Sequence, residues 1–213
     1  IYSKGSAGVR HITRVGDAVG SYYGWVVEGI YQSQSEIDSA PTDKMAKAPR
    51  PGDFRFKDVN GDGIIDSDDR TITGSYNPDY IWGITNRFKY KNFDLSIFFQ
   101  GVEGREILNL TARHMKNGEA NFNSYDVLNN RWISESQPGD GKTPRADRST
   151  GTHGNNNRPS SYQVEDGSYA RLKNLTIGYT LPKSMSEKYA DNIRLLLLSA
   201  TPIYNIPSEI EWI

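Results

Sequence analysis

The residues best equipped for chemistry lie in one stretch, "DVNGDGIIDSDD", residues 58 to 69. Asp58, Asn60, Asp62, Asp66 and Asp69 occupy positions 1, 3, 5, 9 and 12 of a calcium-loop pattern. Gly63 supplies the sharp turn at position 6, and Ile64 offers its backbone carbonyl at position 7. Carboxylates crowded this closely repel one another until a hard cation or solvent relieves them, so the spacing points to structural Ca2+. Position 12 is Asp, one methylene shorter than the usual Glu, which predicts weak affinity. An Asp/Gly turn that hydrogen-bonds its own backbone in water fits the same residues, and the spacing leaves both open.

Elsewhere the chemical signals thin out. His11, His114 and His153 are scattered, with no zinc-type spacing, and read as solvated loop imidazoles. No nucleophile elbow, phosphate loop or dinucleotide fingerprint is present, and spacing alone marks no carboxylate pair for glycoside hydrolysis. The expectation is therefore a protein that is not an enzyme, with neither catalytic residues nor an organic cofactor. Tyr22, Tyr23, Trp25, Tyr125 and Trp132 could stack on sugar rings or peptide side chains, although such aromatics more often anchor a loop to its own scaffold.

The elements that must position these residues are strands. A hydrophobic fraction of 36% with 20 Gly and 10 Pro favours short strands and many turns, and 26 acidic against 25 basic residues give no field that would recruit nucleic acid. Cysteine is absent, and no apolar run is long enough for a membrane helix. The clearest pattern is a hairpin over residues 80–100. With Lys91-Asn92 as its turn, Tyr90 lies opposite Phe93, Phe88 opposite Leu95, Asn86 opposite Ile97 and Ile84 opposite Phe99, giving one nearly apolar face. The other face pairs Lys89 with Asp94, Arg87 with Ser96, Thr85 with Phe98 and Gly83 with Gln100, and is mainly polar.

Two solvents suit that alternation. A soluble sandwich would bury the apolar face under a second sheet; an outer-membrane barrel would turn it to lipid and leave the polar face to a wet lumen. Aromatic residues at both ends of the first strand, and a length near the roughly 9 to 11 residues of a tilted barrel strand, favour the bilayer. Residues 169–200 read as a second hairpin, with Leu175, Ile177, Tyr179 and Leu181 on one side of its first strand. Between the hairpins, residues 101–168 read as one long loop with a short helix at "YDVLNNRW". Upstream, "GSYYGWVVEGIYQSQ" suggests one or two short strands. A short turn at one end and a long loop at the other is the asymmetry of outer-membrane barrels.

The ordered run "PGDFRFKDVNGDGIIDSDDRTITGSYNPDYIWGITNRFKYKNFDLSIFFQG", then "NNRW", then "VEDGSYARLKNLTIGYTLPKS" resembles the C-terminal barrel region of the SusC/RagA-type TonB-dependent outer-membrane transporters. The resemblance covers most of residues 12–200. It implies an all-β, antiparallel segment of a transmembrane barrel with long extracellular loops and short periplasmic turns, in the cell outer membrane. It also implies a SusD-like surface lipoprotein, the TonB complex acting through an N-terminal region, and an oligosaccharide or peptide cargo. Residues 1–213 then read as a fragment without the plug domain, and after Ala200 "TPIYNIPSEIEWI" departs from the family pattern. A secreted, calcium-stabilised β-domain that binds carbohydrate is the alternative. The two part on where Ile84, Phe88, Leu95 and Phe99 point.

Overall fold

The computed structural model describes residues 10–45, 48–111, 115, 116, 118, 123–147, 155–186, 188 and 193–200, the side chains of residues 186 and 197–200 excepted. His114, His153 and the tail beyond Ala200 lie outside the described residues. In chain order the elements are β1 (His11–Ile12), β2 (Ser21–Gly24), β3 (Val27–Ile30), α1 (Gln34–Asp38), β4 (Thr42–Asp43), β5 (Phe54–Phe56), β6 (Ile64–Ile65) and β7 (Thr71–Gly74). There follow β8 (Tyr80–Tyr90), β9 (Phe93–Glu103), β10 (Glu106–Leu108), β11 (Val164–Asp166), β12 (Tyr169–Thr180), α2 (Lys183–Ser186) and β13 (Arg194–Ala200). No helix among the described residues is long and apolar enough to cross a membrane, which says nothing of strands. The described chain divides into two compact units, residues 10–77 with 106–166 and residues 78–105 with 167–200.

The second unit is one antiparallel sheet in the order β13-β12-β9-β8. β8 and β9 pair without interruption from Tyr80↔Glu103 to Tyr90↔Phe93, and every pair expected from the alternation is found. The turn is Lys91-Asn92, as read, with Lys91 in the left-handed region at φ +52°. What alternation within the hairpins could not give is their union. β12 runs along the free edge of β9, from Tyr169↔Val102 to Tyr179↔Phe93, with one register shift around Lys173. β13 joins β12 with a second shift between Ile177 and Gly178, a bulge that explains why "LLLL" does not alternate cleanly. The β8–β9 turn and the β12–β13 connection lie at the same end of the sheet, where Thr180 N–H donates to the Asn92 carbonyl.

The first unit gathers the remaining strands into small sheets around one core. Trp25, Ile30, Phe54, Phe56 and Ile65 are buried together, with Val27, Met45, Trp132 and Tyr162 packed against them. Trp25 is fully enclosed, and its indole N–H donates to the Asp66 carbonyl at 2.8 Å, so its one polar atom is satisfied. Its backbone is also clamped: Trp25 N–H donates to the Pro159 carbonyl at 3.0 Å, and Ser161 N–H donates to the Trp25 carbonyl at 2.9 Å. A Cβ on Gly24 would strike that Pro159 carbonyl, so only glycine lets the two chains approach.

So small an apolar core leaves polar groups to do much of the joining. Asp53 is fully buried and accepts from Arg50 N–H and Arg145 Nε, each at 2.8 Å, and from the amides of Asn155 and Asn156. Arg145 also donates to Asp147 at 2.8 Å, and Arg158 pairs with Asp43 at 2.5 Å while its guanidinium stacks on Phe56. The described residues of the stretch read as a long loop therefore include ordered structure. β10 pairs with β11, and residues 143–147 and 155–158 are stitched to residues 43–56 across about a hundred positions of sequence. The short helix is a 3-10 turn over Asp126–Asn130, and Trp132 lies beyond it.

Removing one partner of a buried ion pair strands the other charge, typically at about 3–5 kcal/mol. Asp53→Ala is expected to destabilise the first unit on that scale. Hydrogen exchange on the whole protein should show protection lost together at Phe54, Arg145 and Asn156 and retained in β8 and β9. Unchanged exchange at those three positions would refute the role given to Asp53.

Candidate functional site

The acidic loop folds as an ordered turn between β5 and β7. Asp58 accepts from Gly61 N–H at 2.6 Å and Gly63 N–H at 2.8 Å, Asn60 from Asp62 N–H at 2.9 Å, and Asp62 from Ile64 N–H at 2.8 Å. Asp66 and Asp69 close a capping box on the 3-10 turn Ser67–Asp69, and buried Asp69 also accepts from Val59 N–H. The six residues of the calcium pattern thus share one turn, with their carboxylates aimed at backbone donors. The Gly63 N–H, against the opposing effect of desolvation and with help from the Gly61 N–H, holds the Asp58 carboxyl below the usual carboxylate range. Among the described residues no three carboxylate or imidazole groups lie together as an ion would require. The donor chemistry is all-oxygen and suits a hard cation, since an oxygen that accepts one N–H keeps a further lone pair.

The sheet presents the second arrangement with functional consequences. On one face Phe88, Leu95 and Ile177 form a row across three strands, followed by Tyr90, Phe93 and Tyr179; Ile84 and Phe99 continue it toward the other end. This face is bare: Ile84 is 53% exposed, Phe88 58%, Phe99 41% and Tyr90 71%, with Leu95 half-buried between its neighbours. Among the described residues of its own unit no second sheet lies over it. A soluble sandwich would have buried these side chains.

The opposite face carries Thr85, Arg87 and Lys89 of β8, Asp94, Ser96 and Gln100 of β9, and Asn174, Thr176 and Thr180 of β12. Lys89 stands opposite Asp94 as the register requires, but the ion pair that forms is a different one. Arg194 of β13 reaches across β12 and grips the Asp94 carboxylate with two nitrogens. It passes over Gly178, where any Cβ would collide with both side chains. This link was hidden in the sequence because it needs β12 to lie between β9 and β13, and the two groups are a hundred residues apart. Trp82 lies over Gly101, its cross-strand partner, in the same way: the ring fills the space a side chain there would need.

The upstream aromatics are anchors. Trp25 is the core, Tyr22 is buried and its hydroxyl donates to the Glu106 carbonyl, and Tyr23 stacks under Arg70. Trp132 packs on the core, while Tyr125 stays exposed. His11 is exposed and meets only the Tyr22 ring, edge-on.

Comparison with known proteins finds relatives among TonB-dependent receptors. The chain is 38% identical, over 83% of its length, to TonB-dependent receptor P3 of Formosa agariphila, and 36% identical over 84% to TonB-dependent receptor P26 of the same organism. It is 26% identical over 78% to TonB-dependent receptor SusC of Bacteroides thetaiotaomicron. The chain spans only 16%, 17% and 14% of those three proteins. A solved structure of the RagAB peptide transporter superposes on 91% of the chain, and on 21% of its own, with a TM-score of 0.60 at 20% identity. No family model matches.

The acidic turn carries its own test. A carboxyl whose folded pKa is depressed contributes stability above its unfolded value, near 3.9, and loses it as pH falls through the lower folded value. Amide protection at Gly61 and Gly63 is expected to persist on acidification to about pH 4 and to collapse only below it. Asp58→Asn should weaken that protection at neutral pH and flatten its pH dependence; collapse well above pH 4 in the native chain would contradict the assignment.

Proposed function

The chain belongs to the SusC/RagA-type TonB-dependent receptors, and from that premise we propose that it forms part of the wall and loops of an outer-membrane nutrient importer. The fold is all-β, and its setting is the outer membrane. The cargo in this reading is an oligosaccharide or a peptide, delivered by a SusD-like surface lipoprotein and moved with energy from the TonB complex. The relatives are receptors by name, and RagAB is a peptide transporter.

The observation that carries the proposal is the bare apolar face. Aromatic and branched side chains in rows along this face suit hydrocarbon and make a poor water-facing surface. Antiparallel ladders join β8, β9, β12 and β13, interrupted by two register shifts in β12 and β13, in keeping with what backbone in lipid requires, and the two outer edges call for further strands to close the barrel. The polar face, braced by Asp94 and Arg194, suits a wet lumen. The same exposure weighs against the secreted carbohydrate-binding domain, which would have to cover this face.

Depth-dependent substitution separates the faces. In the full-length receptor Ile84→Arg is expected to cost about 2–4 kcal/mol near the bilayer midplane, seen as a lowered urea midpoint in lipid vesicles, whereas Thr85→Arg on the opposite face should be tolerated. Uptake of the cargo by cells should vanish on deletion of TonB. Equal penalties at positions 84 and 85, or uptake indifferent to TonB, would refute the reading.

We also propose that the turn, with its carboxylates rotated from their backbone donors toward the ion, holds Ca2+ through Asp58, Asn60, Asp62, the Ile64 carbonyl, Asp66 and Asp69, with a structural role. The support is the spacing and the all-oxygen donor set. Calorimetry on the whole receptor is expected to show binding that weakens at least ten-fold in Asp62→Ala; no heat at millimolar Ca2+ would dispose of the ion and leave the turn to its backbone hydrogen bonds.

A further inference from the structure

At the short-turn end of the sheet the apolar face is concave. Phe88 and Tyr90 of β8, Phe93, Asp94 and Leu95 of β9 and Ile177 of β12 line an open groove of about 230 Å³, the Asp94 carboxylate itself being held by Arg194. Its floor is the Phe88–Leu95–Ile177 row, and one wall is stiffened by Phe93 against Tyr179, ring centroids 4.6 Å apart. Such a groove could take any apolar chain. What narrows the choice is the residue at its mouth.

Lys91 occupies the first position of the two-residue turn with φ +52°, where glycine or asparagine would sit with less strain. Its ammonium lies over the Tyr90 ring, 5.4 Å from the centroid, and no carboxylate of the described residues pairs with it. A cation is thus held beside the aromatic rim of an apolar groove, at a backbone cost that the turn itself does not require.

We propose that this groove is a binding site for an anionic glycerophospholipid, one acyl chain lying on Phe88, Leu95 and Ile177 and the headgroup phosphate on Lys91. The proposal rests on the reading that this face meets the bilayer and adds the class of lipid. The groove cannot supply the selectivity, because lipid tails are as apolar outside it as in it; the charge must. An ammonium near the membrane surface favours an anionic headgroup by about five-fold. Lys89 is excluded as the contact, since the pleat turns it to the opposite face.

The full-length receptor can be reconstituted in mixed phosphatidylethanolamine and phosphatidylglycerol, with brominated acyl chains on one lipid or the other. Phe88→Trp serves as the reporter, read as a difference from the parent protein, and Leu95→Trp replaces it should the first not assemble. Brominated phosphatidylglycerol is expected to quench with about five-fold higher relative association. Lys91→Asn, which suits the turn, should bring the ratio to one, and Lys89→Gln should leave it unchanged. Equal quenching by both lipids, or a preference that survives Lys91→Asn, overturns the site while the membrane reading stands. Quenching by neither lipid overturns both.

Discussion

A strand turns successive side chains to opposite sides, and an antiparallel ladder fixes which residues of its neighbour share each side. Everything in the larger sheet follows from keeping that constraint unbroken from Tyr80 to Tyr90. A slip of one residue would exchange Ile84 and Phe88 for Thr85 and Lys89 on the apolar face. The ladder between β8 and β9 runs without a bulge, and the shifts are confined to β12 and β13. One face can therefore meet hydrocarbon while the other meets water.

The two units solve opposite problems. The sheet leaves its apolar side chains outside and relies on backbone ladders, because in lipid an unpaired N–H is expensive and an exposed Phe is not. The other unit puts Trp25, Phe54 and Phe56 inside and must hold long, turn-rich segments together with few apolar residues. It does so by burying Asp53 and surrounding it with Arg145, Asn155 and Asn156. Buried charge is poor glue unless its hydrogen bonds are complete, and several donors converging on one carboxylate meet that condition. The outcome, among the described residues, is ordered structure where loops of this length commonly vary.

Glycine has a recurrent part in the sheet. At Gly178 it opens the path for Arg194 to reach Asp94, and at Gly101 it makes room for the Trp82 ring. Each absent side chain lets a longer one from a neighbouring strand cross over, tying strands together where the ladder alone would allow them to shear. In the proposed barrel wall that matters, since the strands must keep their register for the two faces to stay distinct.

The hairpin register, its turn, the two faces and the oxygen-rich turn at residues 58–69 were legible in the sequence, because pleat and turn chemistry are local: each depends on residues within about a dozen positions. The ordered motifs also carried the family. Hidden from the sequence were the union of the two hairpins along β9 and β12, the Asp94–Arg194 link across Gly178, and the burial of Asp53 among residues that read as a loop. These join positions 67 to 100 residues apart, and no local period records which distant partner a strand edge or a carboxylate will meet. Tertiary structure also decided the solvent question. Alternation says that one face is apolar; only the structure shows that no second layer of the sheet's own unit covers it.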